Sequence, residues 1–94
     1  MLVERTEVQI KEGVEDEFAA VMGEKGVALL KGLDGVNSVS FGRGLENPDK
    51  FMLLIEWENM DAHMAFRKHA RYPEFRSLIS PYSKGGNMEH FNMR

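Results

Sequence analysis

The chain has 94 residues, enough for one small domain, and its 43% hydrophobic and 29% charged residues are typical of a soluble globular protein. It has no cysteine, which excludes disulfides, thiolate nucleophiles and cysteine-type metal sites, and a net charge of -3 without a basic cluster argues against a nucleic-acid partner. No apolar run is long enough to cross a bilayer, and the N-terminus lacks the pattern of a secretion signal, so we expect one cytoplasmic domain over residues 1–94 with no membrane partner.

The first half of the chain predicts a strand, a helix and a second strand. Leu2 to Ile10 alternates loosely and closes at a turn signal, which is typical of a strand. An acidic first turn and apolar residues at helical spacing predict a helix from Val14 to about Lys31, which Gly23 and Gly26 weaken. Alternation returns from Val36 to Arg43, the second predicted strand.

The third predicted strand, Phe51 to Trp57, is apolar on both faces. Its alternating side chains fall into two sets, Phe51, Leu53, Ile55 and Trp57 on one face and Met52 and Leu54 on the other. Two helices can cover only one face of a four-stranded sheet, so the other face needs a second layer. We therefore predict a homodimer in which the sheets of two copies pack face to face.

The last part of the chain predicts two helices and a fourth strand. Asn59 or Asp61 can cap the first of these helices, and a short second helix is expected over Glu74 to Ser80. A loop with Gly85-Gly86 then leads to a strand over Met88 to Met93. The complete pattern is βαββαβ, an α+β fold.

The groups that could shape an aromatic pocket and move protons near neutral pH are Trp57, His63, His69 and His90. His63 and His69 are six residues apart, on different helix faces, and we predict no metal site from this spacing. Dinucleotide, phosphate and hydrolase motifs are also missing. An enzyme of this sequence would depend on a reactive substrate, a shaped pocket and a nearby base.

Motifs along nearly the whole chain point to one known family. The most specific are Leu54-Ile55-Glu56-Trp57-Glu58-Asn59, Ala62-His63, Phe66-Arg67, Pro73-Glu74-Phe75, Pro81-Tyr82 and Glu89-His90-Phe91. In these motifs the chain resembles the antibiotic biosynthesis monooxygenase group of dimeric α/β-barrel proteins. The resemblance implies a ferredoxin-like fold, with a four-stranded antiparallel sheet covered by helices on one face, two copies joined into a barrel, and a pocket between sheet and helices in each copy.

The first functional hypothesis is a monooxygenase that oxidises a small aromatic quinol or phenol with dioxygen and uses no cofactor. His63, and after it His90, is the candidate catalytic base because a histidine can take up a proton near neutral pH. The candidate substrate-binding residues are Trp57, Phe66, Arg67, His69, Tyr72, Phe75 and Tyr82. Aromatic walls would exclude water, a tyrosine hydroxyl would position the phenolic oxygen, and Arg67 would hold an anionic oxygen.

Two alternatives remain open from the sequence. A haem-binding or haem-degrading protein is one, although related haem proteins carry an asparagine on the first strand and a histidine where this chain has Arg67. A dimeric module that binds a small aromatic molecule without turnover is the other. Each candidate residue also has a purely structural interpretation, with Trp57 as a core anchor and the histidines as hydrogen-bonded or helix-capping residues.

Overall fold

The computed structural model describes every residue from Met1 to Arg94. The strands are β1 (Leu2–Ile10), β2 (Val36–Arg43), β3 (Lys50–Trp57) and β4 (Ser83–Asn92). The helices are α1 (Glu15–Val21), a π-helical segment (Met22–Gly26), α2 (Val27–Lys31), α3 (Met60–Arg67) and α4 (Tyr72–Ser77). The strands form one antiparallel sheet in the order β2-β3-β1-β4, which confirms the predicted ferredoxin-like α+β fold.

One face of the sheet carries the hydrophobic core. Val8 of β1 and the alternate residues Phe51, Leu53, Ile55 and Trp57 of β3 are 6% exposed or less. Side chains from all the helices cover them, among them Phe18, Met22, Leu30, Phe66 and Phe75. No helix is both long enough and apolar enough to cross a membrane.

The opposite face of the sheet is uncovered in the single chain. Met52 and Leu54 of β3 are 38% and 37% exposed, and Phe91 of β4 is 41% exposed. Arg5 forms a salt bridge with Glu89 on the same face. The second set of apolar residues in β3 therefore lies where the sequence predicted, on the face that the proposed homodimer would use.

The first helical region changes its helix type at the segment that contains the two glycines. The chain stays helical from α1 to α2 but passes through π-helical turns between Met22 and Gly26. Met22 is fully buried, and a Cβ on Gly26 would lie 2.0 Å from its Sδ atom. The missing side chain of Gly26 therefore leaves the space that Met22 occupies in the core.

The start of β4 differs from the sequence prediction. Gly85-Gly86, expected in a loop, lies within the strand, where Gly86 pairs with Val8. A Cβ on Gly86 would lie 2.3 Å from the Glu7 carbonyl oxygen, and the register shifts between Gln9 and Ile10 of β1. Gly86 therefore permits a close backbone approach inside a strand, whereas the sequence prediction took the glycine pair as a sign of a loop.

The short helix α4 also starts earlier than predicted. It begins at Tyr72 and ends at Ser77, whereas the sequence indicated Glu74 to Ser80. Pro73 lies in the first helical turn, where its missing N–H has no helical partner to lose. Pro73 therefore fits the first turn, and the helix begins one residue before it.

Candidate active site

A buried carboxylate lies at the centre of the site. Glu4 is 4% exposed and lies on the helix-facing side of β1. It pairs with Ile55 of β3 on one side and with His90 of β4 on the other. The strand register thus places a charged group inside the core, where it needs polar partners.

Three side chains surround the Glu4 carboxylate. Its Oε1 atom accepts a hydrogen bond of 2.9 Å from Nε1 of Trp57, and its Oε2 atom accepts one from the Thr6 hydroxyl. Nδ1 of His63 lies 2.9 Å from Oε1, but it is poorly aligned for a hydrogen bond. The carboxylate is therefore fixed by Trp57 and Thr6 and interacts electrostatically with His63.

Helix α3 brings His63 to this carboxylate. Asn59 caps the helix, with its Oδ1 atom accepting a hydrogen bond of 2.9 Å from the Ala62 N–H. His63 follows on the buried side of the first turn and is 4% exposed. Its ring meets Trp57 edge-on, with 5.2 Å between ring centroids. The cap fixes where the helix starts, and the start fixes which side chain faces Glu4.

The surroundings of His63 favour its neutral form. Burial lowers the pKa of His63 and is the largest effect; the nearby Glu4 carboxylate opposes it, while His90 and Arg67 lower the pKa further. A neutral imidazole carries one proton, and the Glu4 oxygen beside Nδ1 favours that position. We therefore assign the proton to Nδ1, which leaves Nε2 free to accept another.

His90 completes a cluster of three titratable side chains. Its ring lies 4.6 Å from that of His63 between centroids, and its Nε2 atom is buried without a hydrogen-bond partner. One nitrogen from each histidine and one oxygen of Glu4 lie within 4.8 Å of one another. The cluster combines residues from β1, α3 and β4. It does not contain His69, so the spacing between His63 and His69 along the chain gives no information about it.

A small, mostly apolar cavity of about 60 Å³ adjoins the cluster. Six residues predicted as site residues line it: Trp57, His63, Phe66, Arg67, Tyr72 and Phe75. Arg76 and Met88 also line it, and neither Arg67 nor Arg76 has a salt-bridge partner. The structure thus places most of the predicted residues around one space between the sheet and the helices.

Two predicted site residues lie elsewhere. His69 lines an open groove beside Asp34 and Gly35, and its Nδ1 atom accepts a hydrogen bond of 3.0 Å from the Arg71 N–H. Tyr82 packs against Phe18 in the core, with 5.7 Å between ring centroids. Both residues are outside the cavity, so neither contacts a molecule bound in it.

The sequence analysis missed Glu4, which is central to the site. The signal was present, because Glu4 and Thr6 share the strand face of Leu2, Val8 and Ile10. A carboxylate on a predicted buried face needs hydrogen-bond or ionic partners, so it marks a place where polar side chains must meet. Arg76 and Met88 carried no comparable local signal.

The chain is similar to a known protein family and to several solved structures. The sequence profile described as antibiotic biosynthesis monooxygenase matches residues 1–78. The chain is 31% identical to the uncharacterised Bacillus subtilis protein YczJ over 93 residues, 97% of each chain. It is similar to a candidate antibiotic biosynthesis monooxygenase from Bordetella bronchiseptica, with 25% identity, a TM-score of 0.88, and coverage of 99% of this chain and 96% of that one. The fold is also that of a variant of SnoaB, a cofactor-independent oxygenase from Streptomyces nogalater, at 14% identity and a TM-score of 0.85, with 99% and 92% of the chains covered.

Proposed function

Because this chain belongs to the antibiotic biosynthesis monooxygenase family, we propose that it is a monooxygenase that oxidises a small aromatic quinol or phenol with dioxygen. The proposed reaction uses no metal and no organic cofactor. The observation that carries the proposal is the position of His63, a buried histidine with a lowered pKa that lies against Glu4 and lines an apolar cavity.

The first proposed step is removal of the phenolic proton. Nε2 of His63 accepts the proton, and the imidazolium that forms lies 2.9 Å from the Glu4 carboxylate through Nδ1. Trp57 and Thr6 hold that carboxylate in place, so it does not have to reorient when the charge appears. General-base catalysis of this kind contributes roughly 10²–10⁴-fold to a rate.

The second proposed step is the reaction of the phenolate with dioxygen. The electron-rich anion transfers one electron to O₂, and the substrate radical and superoxide combine to form a carbon–oxygen bond. The peroxide anion that results takes back the proton held by His63 and becomes a hydroperoxide. Loss of water from it, with the hydrogen of the oxidised carbon, leaves a carbonyl, so one oxygen atom enters the substrate and the other becomes water. The cavity walls formed by Trp57, Phe66 and Phe75 would keep bulk water away from the radical pair.

The cavity dimensions favour a single aromatic ring. Its volume of about 60 Å³ is well below the roughly 300–1,000 Å³ of pockets for drug-sized ligands, so even a small substrate requires side chains at its edge to move. Arg67 and Arg76 are exposed and Met88 is 41% exposed, which makes them the side chains free to do so. We propose that Arg67, which lines the cavity and has no carboxylate partner, binds the phenolate oxygen.

Haem does not fit the same space. A porphyrin is far larger than the cavity, and the candidate axial ligand His63 already contacts Glu4. The residues therefore favour the cofactor-independent reaction over haem degradation.

We also propose that the protein acts as a homodimer. The uncovered face of the sheet carries Met52, Leu54 and Phe91, each more than a third exposed. A second copy of the same sheet would bury these side chains and form the barrel that the family resemblance implies. The cavity lies on the opposite, helix-covered face, so dimerisation leaves it accessible.

Oxygen uptake by purified, metal-free protein tests the catalytic proposal. The panel contains hydroquinones, catechols and anthrones, with controls for autoxidation. We expect uptake with a single-ring substrate, and a loss of about 100-fold or more in His63→Gln. The matched control is His69→Gln, a histidine on the same side of the sheet but outside the cavity. Binding without uptake by folded protein would instead identify a non-catalytic binding module.

A further inference from the structure

We propose that Glu4, His63 and His90 form a binding site for a divalent transition-metal ion, and that an ion bound there inhibits the protein. Metal binding is independent of the proposed monooxygenase activity; only the inhibitory effect rests on it. The ligands would be one nitrogen of each histidine and one oxygen of the carboxylate, which lie within 4.8 Å of one another.

The separation of the first two ligands suits a metal ion. Nδ1 of His63 and Oε1 of Glu4 are 2.9 Å apart. Two ligands that each lie about 2.1 Å from an ion are about 3 Å apart at the right angle of octahedral geometry and about 3.4 Å apart at the tetrahedral angle of zinc sites, so a small outward shift of one side chain would suit the latter. Repulsion between a bare nitrogen lone pair and a carboxylate oxygen would oppose this contact, so the position needs either a proton or a metal ion between them.

The third ligand is able to close the site. His90 is on β4, directly across the pairing from Glu4, and it is only partly buried. Its Nε2 atom has no hydrogen-bond partner, so turning toward an ion breaks no existing bond of that atom. A modest rotation of this side chain would bring the third donor within ligand distance.

The neighbours of Glu4 support the carboxylate as a ligand. The hydrogen bonds from Trp57 and Thr6 fix its orientation, as residues around metal ligands commonly do. Each carboxylate oxygen retains a lone pair after these contacts.

The donor set selects the class of ion. Two imidazoles with one carboxylate suit Zn²⁺, Co²⁺, Ni²⁺ and similar ions, whereas Mg²⁺ and Ca²⁺ prefer oxygen ligands. Coordination through Nδ1 uses the lone pair of that nitrogen, so the single proton of the neutral imidazole would move to Nε2. Nε2 would then have no free lone pair and could not accept the substrate proton.

Binding is measured first, on metal-free protein without any substrate. Titration with Co²⁺ followed by visible absorption, and with Zn²⁺ by calorimetry, should give one ion per chain. His90→Asn, the partly buried and therefore most tolerant position, should weaken binding about tenfold or more. The control His69→Asn should bind as the parent protein does. Absence of saturable binding, or equal binding by His90→Asn, would overturn the site.

Inhibition is measured next, with whichever substrate supports oxygen uptake. One equivalent of bound Zn²⁺ should suppress uptake, and a chelator should restore it. Mg²⁺ at the same concentration should have no effect. If Zn²⁺ or Fe²⁺ binds to the cluster and increases uptake, the inhibitory role is wrong, although the site itself stands.

Discussion

The indole N–H of Trp57 donates a hydrogen bond of 2.9 Å to Glu4, from which it is separated by 53 positions along the chain. Trp57 ends β3 and pairs with Leu2, so Glu4 is its diagonal neighbour on the same face of the sheet. Trp57 is at once a core anchor, 1% exposed, and the residue that orients the carboxylate beside His63. Trp57 also lines the cavity, so a core anchor and a wall for a bound aromatic ring are compatible roles for it.

Replacing Trp57 tests this link. Trp57→Phe keeps an aromatic ring but leaves a buried Glu4 oxygen without its donor, so we expect unfolding to become easier by about 1–3 kcal/mol. Urea denaturation followed by circular dichroism measures the change. Glu4→Gln and the double variant complete a thermodynamic cycle, in which contacting residues should show a coupling energy of about 0.5 kcal/mol or more. Strictly additive effects would contradict a direct interaction.

Stability should depend on pH through His63. Its pKa is lowered in the folded protein, so between the unfolded value of about 6.5 and the lower folded value the unfolded chain binds a proton that the folded chain does not. Acidification through that interval therefore reduces the free energy of unfolding. His63→Gln should show a weaker loss over the same interval in urea titrations at several pH values. Parallel pH curves for the two proteins would contradict the predicted linkage.

The pH dependence of kcat/KM should change when the charged neighbours of His63 are changed. These are Glu4 from β1, His90 from β4 and Arg67 from α3 itself. Removing the charge of Arg67 removes an effect that lowers the pKa of His63, so in Arg67→Gln the rising limb of kcat/KM should move to higher pH. Lys68→Gln, an exposed neighbour outside the cavity, is the control. An unchanged midpoint in Arg67→Gln would indicate that the group titrating in kcat/KM is not His63.

The dimer prediction concerns the uncovered sheet face. Leu54→Lys places a charge at the centre of the proposed interface, where burying it unpaired is costly. We expect the parent protein to sediment at about twice its 10.7 kDa chain mass and the variant to shift toward the monomer. Met64→Lys, at an exposed position on α3, should leave the mass unchanged. A parent protein that sediments as a monomer would contradict the proposed interface.

The close approach of β4 to β1 gives a prediction about folding. Gly86→Ala places a Cβ against the Glu7 carbonyl oxygen, at a position that would be 2.3 Å away without rearrangement, so the strands must separate locally. We expect a loss of about 2 kcal/mol, typical of strain in a packed region. Gly42→Ala is the matched strand control, because nothing lies within 4 Å of its added Cβ. Equal stability of the two variants, measured by thermal and urea unfolding, would contradict the close packing.

Much of the fold could be predicted from local patterns. The limits of β1 and β2 follow alternation, and the two apolar sets of β3 lie on opposite faces of the sheet, as their spacing predicts. These features depend on the period of side chains along one element, which the sequence displays directly. The boundaries that were wrong lie at α4, which starts and ends earlier than predicted, and at β4, which contains glycines expected in a loop.

The composition of the site was decided by tertiary structure. The sequence by itself indicated an aromatic pocket with Trp57 and His63, because their residue types suit that chemistry. It could not show that Glu4 and His90 would meet His63, since these residues belong to three elements and 86 positions separate the first from the last. Sheet pairing and the docking of α3 create that neighbourhood, and both depend on distant contacts. The same contacts place His69 outside the cavity, although it is only six residues from His63.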